Sequence, residues 1–360
     1  MTRLPLTYVL PIRRSELDPS DELPAYLRTL GSIVDEVIVV DASPDPVFQA
    51  HHAGWSTEIR HVRPDPDLRF ANGKVNGVLT GVRLAEREAL VIADDDVRYE
   101  RAELARVGRW LEDVEVVVPT NRFEPMPWHA RWDTARTLLN RSMGHDWPGT
   151  LGIRRSALRH GYDGDVLFEN LELIRTVGAE GGRVLAPEDL FVARRPPTVR
   201  RFLSQRVRQA YDDLAMPARL ATFLALGPTV LALRRRPRAL ATLALGAIGL
   251  AEVGRRRGGG AGVFPATTPL FAPLWMAERA VSSWLALGCR LVLGGCPYAG
   301  RIIRSAATSR RALRARARRA AGLAAAGATA TRSPLGASRG ATAPAPTGPG
   351  TSRSAPRRPA

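Results

Sequence analysis

From Leu6 to about Asp213 the chain alternates two apolar patterns. "LTYVLPI" (Leu6–Ile12) and "EVIVVDAS" (Glu36–Ser43) are continuous apolar runs of strand length, the second stopped by "SPDP". Between them Glu22–Val34 carries its apolar residues at helical spacing. "TEIRHV" (residues 57–62) reads as a weaker strand, and Gly73–Glu88 as a helix opened by Asn72-Gly73. "ALVIADDD" is a further strand, "RAELARVGRWLED" a helix and "VEVVVP" a strand. Strands apolar throughout and alternating with helices predict an α/β fold, a mostly parallel sheet with helices on both faces. Ligands of such sheets bind beyond the carboxyl ends of the strands. Asp41 and the run Asp94–Asp96 fall at that edge.

After Asp213 the pattern changes. Pro217–Leu233, Ala239–Gly254 and Val263–Gly295 are apolar, with "RRRPR" between the first two. The first two are short against the roughly 20 residues that span a bilayer. A spanning Pro217–Leu233 would also carry "RRRPR" outside, against the positive-inside tendency. Helices that dip into the membrane or lie in its interface keep those arginines on the cytosolic side. The expected organisation is therefore a catalytic domain over residues 1–213 and a membrane-associated or transmembrane helical region over 214–300. A basic segment over 301–323 and a disordered tail over 324–360, rich in Ala, Gly, Ser, Thr and Pro, complete it.

Charge sharpens this picture. The net charge is +17, from 52 Lys and Arg against 35 Asp and Glu, with the acids concentrated before Asp213 and the region from Arg255 onward strongly basic. That asymmetry suggests an anionic membrane surface as partner. Nucleic acid is the poorer match, because the basic part has few aromatics and follows apolar segments. Cys289 and Cys296 give neither a disulfide framework nor a zinc spacing, and the six histidines show no ligand spacing. The apolar run at the N-terminus is too short for a signal peptide, so the expectation is a cell-membrane protein with its catalytic domain in the cytoplasm.

The candidate chemistry centres on Asp94, Asp95 and Asp96. A helix N-cap before "RAELARV" would explain one of them, not three. Magnesium and similar hard divalent ions take one or two carboxylates together with substrate phosphates. Lys74, the only lysine in the chain, opens a helix near its positive dipole end, a place for a diphosphate.

"GKVNGVLTGVRLAEREALVIADDDV" resembles the core of a family 2 glycosyltransferase of the GT-A fold, with the family's Asp-x-Asp on Asp94 and Asp96. "VLPIRR" resembles its first nucleotide-binding loop and includes Pro11. "VIVVDASPD" resembles its second strand, whose Asp, here Asp41, faces the nucleotide base. "GTLGIRRSALRHGYDGDVLFENLEL" resembles the acceptor half, and "FLSQRVRQ" the Gln-x-x-Arg-Trp motif of membrane-associated bacterial members. The resemblance covers about Leu4 to Tyr211. It implies a Rossmann-like GT-A domain and an inverting, metal-dependent transfer using Mg2+ or Mn2+. The donor would be a nucleotide-sugar, and the acceptor a lipid, lipid-linked or saccharide molecule. Asp94 and Asp96 would hold the metal, while Pro11, Asp41, Lys74, Asp94 and Asp95 bind the donor. Gln205 and Arg208 would contact acceptor or diphosphate.

Two departures qualify the match. The family's catalytic Asp is replaced by Asn170, so Glu169 becomes the expected base, with Asp165 or Glu172 as alternatives. Gln209 stands where Trp is usual. Asn170 also motivates the competing expectation of a non-catalytic protein that binds a nucleotide-sugar or scaffolds partners. "GGCPYAGRII" resembles a short element after the last membrane segment of lipid-directed members, which would put Tyr298 and Arg301 near the membrane surface.

Overall fold

The structure is a computed structural model that describes residues 2–18, 21–55 and 59–330. In chain order the first half runs β1 (Leu4–Ile12), α1 (Leu23–Ile33), β2 (Val34–Asp41), α2 (Asp45–Gly54), β3 (Arg60–Val62), α3 (Gly73–Leu84), β4 (Ala89–Ala93), β5 (Val97–Arg98) and α4 (Arg101–Trp110). It continues with β6 (Val116–Val117), β7 (Thr120–Phe123), α5 (Trp128–Met143), β8 (Thr150–Arg154), α6 (Glu169–Ala179), β9 (Val184–Leu185) and β10 (Phe191–Arg194). Of the strand expected over residues 57–62, Arg60–Val62 forms; residues 57 and 58 lie outside the described residues.

The main sheet has the order β3-β2-β1-β4-β8-β6-β9. Its first four strands are parallel, as expected, and β8 is inserted antiparallel to both β4 and β6. A second sheet, β5-β10-β7, stands beside the end of β4. The uninterrupted apolar runs follow from burial on both faces. Leu6, Tyr8 and Leu10 of β1 pack with Leu27 of α1 and Leu104 of α4. Val9, on the opposite face, packs with Val75, Val78 and Leu79 of α3. Each such side chain, removed from water, contributes about 1.5–3 kcal/mol. At Gly77 a Cβ would come 2.7 Å from the Cβ of Pro11. The missing side chain lets the start of α3 close on the end of β1, which carries Lys74 to the strand ends.

The second half is helical: α7 (Val199–Ser204), α8 (Arg206–Tyr211), α9 (Pro217–Ala232), α10 (Pro237–Arg256) and α11 (Ala272–Val292). A hairpin of β11 (Cys296–Tyr298) and β12 (Arg301–Ile303) and a helix Arg310–Ala330 follow. No helix among the described residues is long and apolar enough to cross a membrane. This corrects the transmembrane expectation, and the reason is visible in each helix. α9 is only 16 residues long and contains Pro228; α10 carries Arg238, Glu252, Arg255 and Arg256; α11 carries Glu278, Arg279 and Arg290. The boundary expected at residue 213 is also displaced. The described residues up to Ala317 make one compact unit. Phe223, Ala251 and Trp275 of α9, α10 and α11 share a core with Ala135 and Leu138 of α5. Of the tail expected to be disordered, residues 324–330 continue the last helix, and 331–360 lie outside the described residues.

Arg279 shows why α11 stays with the protein. It is 1% exposed, its Nη1 lies 3.4 Å from Asp213 Oδ2, and its guanidinium sits 5.0 Å from the Trp275 ring centre. Asp213 is held a second time by Arg219 Nε at 2.8 Å. Arg279→Ala is expected to lower the free energy of unfolding by about 3 kcal/mol, because it strips a buried carboxylate of one of its cations. Urea denaturation monitored by tryptophan fluorescence checks this.

Candidate active site

Strands β1, β2 and β4 end at Ile12, Asp41 and Ala93, and a cleft of about 1170 Å³ opens beyond them. Pro11, Lys74, Asp94, Asp95, Asp96, Glu169, Gln205 and Arg208 all line it. Residues more than a hundred positions apart in the chain thus meet in one cavity.

The three adjacent aspartates coexist because each faces a cation. Lys74 Nζ lies 2.6 Å from Asp94 Oδ1 and 2.8 Å from Glu169 Oε1. Arg194 Nε donates to both oxygens of Asp96 at 2.9 Å, and its Nη2 is 3.6 Å from Asp94 Oδ2. Arg14 Nη2 reaches Asp95 Oδ2 at 3.3 Å. Burial raises the Asp94 pKa, but Lys74 and Arg194 outweigh it and hold the carboxyl below its ordinary value. Asp96 ends above its ordinary value: burial dominates, Arg194 opposes it, and Asp94 and Asp95 add repulsion. Burial disfavours the Lys74 charge, yet Asp94 and Glu169 raise its pKa well above the usual lysine value.

Asp41 does not take the place expected of it. Its carboxylate is fully buried and absent from the cleft lining. Oδ2 meets His51 Nδ1 at 2.8 Å and His61 Nε2 at 3.2 Å, while Oδ1 accepts the Ser43 N–H at 2.8 Å. Burial raises its pKa and these hydrogen bonds, from His61 first, bring it far below the carboxylate range. With both oxygens engaged inside the protein, Asp41 fixes the β2–β3 corner instead of facing a nucleotide base.

A further part of the cleft wall is built by α6, α7, α8 and the β11–β12 hairpin. Glu169 is in the cleft, paired with Lys74. The two alternatives are turned away: Asp165 Oδ1 accepts the Ala71 N–H at 2.8 Å, and the buried Glu172 accepts the Thr308 N–H at 2.5 Å. Asn170 Nδ2 donates to the Pro148 carbonyl at 2.7 Å, which ties α6 to the loop before β8. Gln205, Arg208, Gln209 and Asp212 line the cleft from the α7–α8 segment. The Arg208 guanidinium sits 5.3 Å from the Tyr298 ring centre. Tyr298 thereby brings an aromatic ring to the site although Gln209 stands where a Trp was expected. Its hairpin is anchored by Cys296 and Ile303, which share a core with Leu167, Ala210 and Tyr211.

Three residues escaped the sequence reading. Arg194 ends β10, and only the second sheet brings it to Asp96. A pair of arginines closing the apolar strand "FVARR" was the available signal. Arg14 follows β1 and closes on Asp95. Gly149 precedes β8, and a Cβ there would overlap Asp94 Oδ2. Gly149→Ala is expected to push Asp94 off Lys74 and Arg194 and to lower turnover about a hundredfold, in line with loss of one preorganised charge contact. A crystal structure of the variant and its steady-state rate check both halves.

A divalent ion fits the donor set in one way. Among the described residues, no group of three or more His, Cys, Asp and Glu gathers to hold a metal. Asp94 and Asp96, however, converge on a single cation, the Arg194 guanidinium. Two converging carboxylates suit Mg2+ or Mn2+ whose remaining ligands are substrate phosphate oxygens.

No family model and no curated protein matches the chain. Solved structures do resemble it. A mannosyltransferase from Pyrobaculum calidifontis, solved with GDP-Man and Mn2+, is 21% identical, with 79% of this chain and 88% of that chain covered and a TM-score of 0.48. Glucosyl-3-phosphoglycerate synthase from Mycobacterium tuberculosis, solved with Mn2+, UDP and phosphoglyceric acid, is 16% identical, covering 57% and 76% at a TM-score of 0.39. Mannosyl-3-phosphoglycerate synthase from Rubrobacter xylanophilus is 15% identical, covering 57% and 71% at 0.40. Likenesses this distant fix neither fold nor activity, which rest on the chain's own residues.

Proposed function

We propose that the protein is a glycosyltransferase that moves a sugar from a nucleotide-sugar to an acceptor hydroxyl, with inversion at the anomeric carbon. The observation that carries the reading is the convergence of Asp94 and Asp96 on one cation, at the end of β4, in a cleft that Arg208 also lines. Asp94 and Asp96 would hold Mg2+ or Mn2+, which when bound supplies Lewis-acid stabilisation of the leaving diphosphate. Pro11 shapes the wall beside the nucleotide. Lys74, at the start of α3, neutralises the acidic wall and so lets a pyrophosphate approach it. Arg208 and Gln205 face the same space and orient the diphosphate or the acceptor. A carboxylate on the α6–α8 side, where Glu169 and Asp212 line the cleft, accepts the acceptor's proton.

The test is release of nucleoside diphosphate from a panel of UDP- and GDP-sugars with Mn2+ or Mg2+ and with EDTA. Turnover of at least one donor, abolished by EDTA and by Asp96→Ala, supports the reading. Equal background in wild type and Asp96→Ala defeats it and leaves the non-catalytic binding protein suggested by Asn170.

We further propose that the acceptor is lipid or lipid-linked and is met at the cytoplasmic face of the cell membrane. What supports this is an apolar surface on α9–α11, with Leu231, Leu245, Val281, Leu285, Leu291 and Val292 all more than half exposed. Arg234, Arg235, Arg236 and Arg238 lie at the α9–α10 turn and suit anionic headgroups. Sedimentation with phosphatidylglycerol vesicles, reduced by Leu245→Ser with Val281→Ser, is the expected result. Equal sedimentation with neutral and anionic vesicles would contradict the charge complementarity.

A further inference from the structure

We infer that Asp212 is the carboxylate that takes the acceptor's proton, and that Glu169 serves instead to hold Lys74. The inference rests on the proposed transfer reaction and assigns its base.

Three observations lead to it. Asp212 lines the cleft and stands four residues after Arg208, where helical backbone continues past α8 (φ −60°, ψ −28°), so the two side chains share a face. Although the residue is half-buried, its Oδ1 is fully enclosed and has no hydrogen-bond donor among the described residues. An enclosed carboxylate oxygen left so is poorly solvated and therefore basic, while the exposed part of the residue lines the cleft, where an acceptor hydroxyl arrives. Each competing carboxylate of this wall has at least one oxygen paired with a cation or a backbone N–H, although Glu172 Oε1 and Asp213 Oδ2 are also enclosed without a hydrogen bond among the described residues. Glu169 Oε1 meets Lys74, Asp133 meets Arg206, Asp213 meets Arg219 and Arg279, and Glu172 and Asp165 are turned away on backbone N–H groups.

The electrostatics suit the task. Burial pushes the Asp212 carboxyl up to about 8, with Arg208 of α8 opposing, Glu169 of α6 and Asp213 adding, and Arg279 of α11 opposing. Cys296 of β11 also faces it. A base is most effective when its pKa lies near the working pH. In the step, the acceptor O–H proton passes to the Asp212 carboxylate and the acceptor oxygen bonds to the anomeric carbon. The anomeric carbon–oxygen bond to the diphosphate breaks, and its electron pair leaves on the nucleoside diphosphate.

The experiment compares wild type, Asp212→Asn, Asp212→Glu and Glu169→Gln by kcat, KM, pH profile and calorimetric binding of the donor. Asp212→Asn should lower kcat roughly a hundredfold or more, with donor affinity unchanged within about twofold. Wild-type kcat should rise with pH to a plateau above about 8, because the ionised form is the active one. That rise should vanish in Asp212→Asn, and Asp212→Glu should recover at least about tenfold of the lost rate. Stability gives a second readout. The folded-state pKa is raised, so stability contributed by the neutral carboxyl is lost as pH climbs through about 8. Asp212→Asn should therefore melt above wild type at pH 9 and level with it at pH 4. The inference is overturned if Asp212→Asn keeps the wild-type kcat and pH rise while Glu169→Gln loses them, an outcome that leaves the transfer reaction standing. It is also overturned if Asp212→Glu and Asp212→Asn are equally slow. A wild type that turns over no donor at all overturns both the inference and the reaction it rests on.

Discussion

Asp94→Asn is expected to cut sugar transfer about a thousandfold, the scale of removing one preorganised charge from the site of developing charge. Asp94 is where the two halves of the acidic wall meet. Its Oδ1 takes Lys74, its Oδ2 faces Arg194, and its backbone N–H is tied to the Gly149 carbonyl at 2.9 Å. An amide there keeps the shape but turns N–H donors toward cations. The fold should survive, because Lys74 retains Glu169 and Arg194 retains Asp96. Asp95→Asn is the internal control. Among the described residues its carboxylate pairs with Arg14 alone, over a long 3.3 Å contact, so a loss below about tenfold is expected. Equal losses in the two variants would mean that the triplet acts only as bulk negative charge. Single-turnover rates with saturating donor separate the cases.

Lys74→Met should be almost as damaging, and for a different reason. Methionine keeps the unbranched stem of lysine but ends one atom short, and leaves Asp94 and Glu169 without the ammonium that lies within 2.8 Å of both. Leaving such partly buried charges uncompensated costs about 3 kcal/mol. The melting point should fall at neutral pH. The difference from wild type should shrink as the pH falls and Asp94, whose carboxyl Lys74 and Arg194 hold below its ordinary value, takes up a proton. Turnover should drop about a hundredfold or more. Lys74→Arg should not rescue it, since a planar fork cannot replace a compact point charge held between two oxygens. Melting curves across pH, read beside rates, check the claim. An unchanged melting point at neutral pH would contradict it.

The parts of this site that could be read from sequence are those fixed by local pattern. A strand that runs apolar to Ala93 and then meets three acids has to end at an edge, and Asn72-Gly73 has to open a helix beside it. Lys74 and the run Asp94–Asp96 follow from that pattern, and the family resemblance singled out Asp94 and Asp96 within the run. What escaped was set by pairing between distant strands. Arg194 reaches Asp96 because β10 joins β5 and β7 in a sheet of its own, and Gly149 is needed because β8 pairs with β4. Asp41 illustrates the converse. Its position at the end of β2 is as expected, but His61 arrives next to it through the β2–β3 register, where Val39 pairs with His61, and takes the carboxylate inward. The apolar segments after Asp213 were readable as helices. Their destination was not, because Arg279 and Arg219 find Asp213 only in the folded chain.

Titration calorimetry of UDP- and GDP-sugars, with and without Mn2+, addresses the cation-bridged diphosphate most directly. For at least one donor, heat should appear only with the ion present and should disappear in Asp94→Asn. Donor heat that is indifferent both to the ion and to that substitution, or no heat from any donor against a folded protein, would contradict the account.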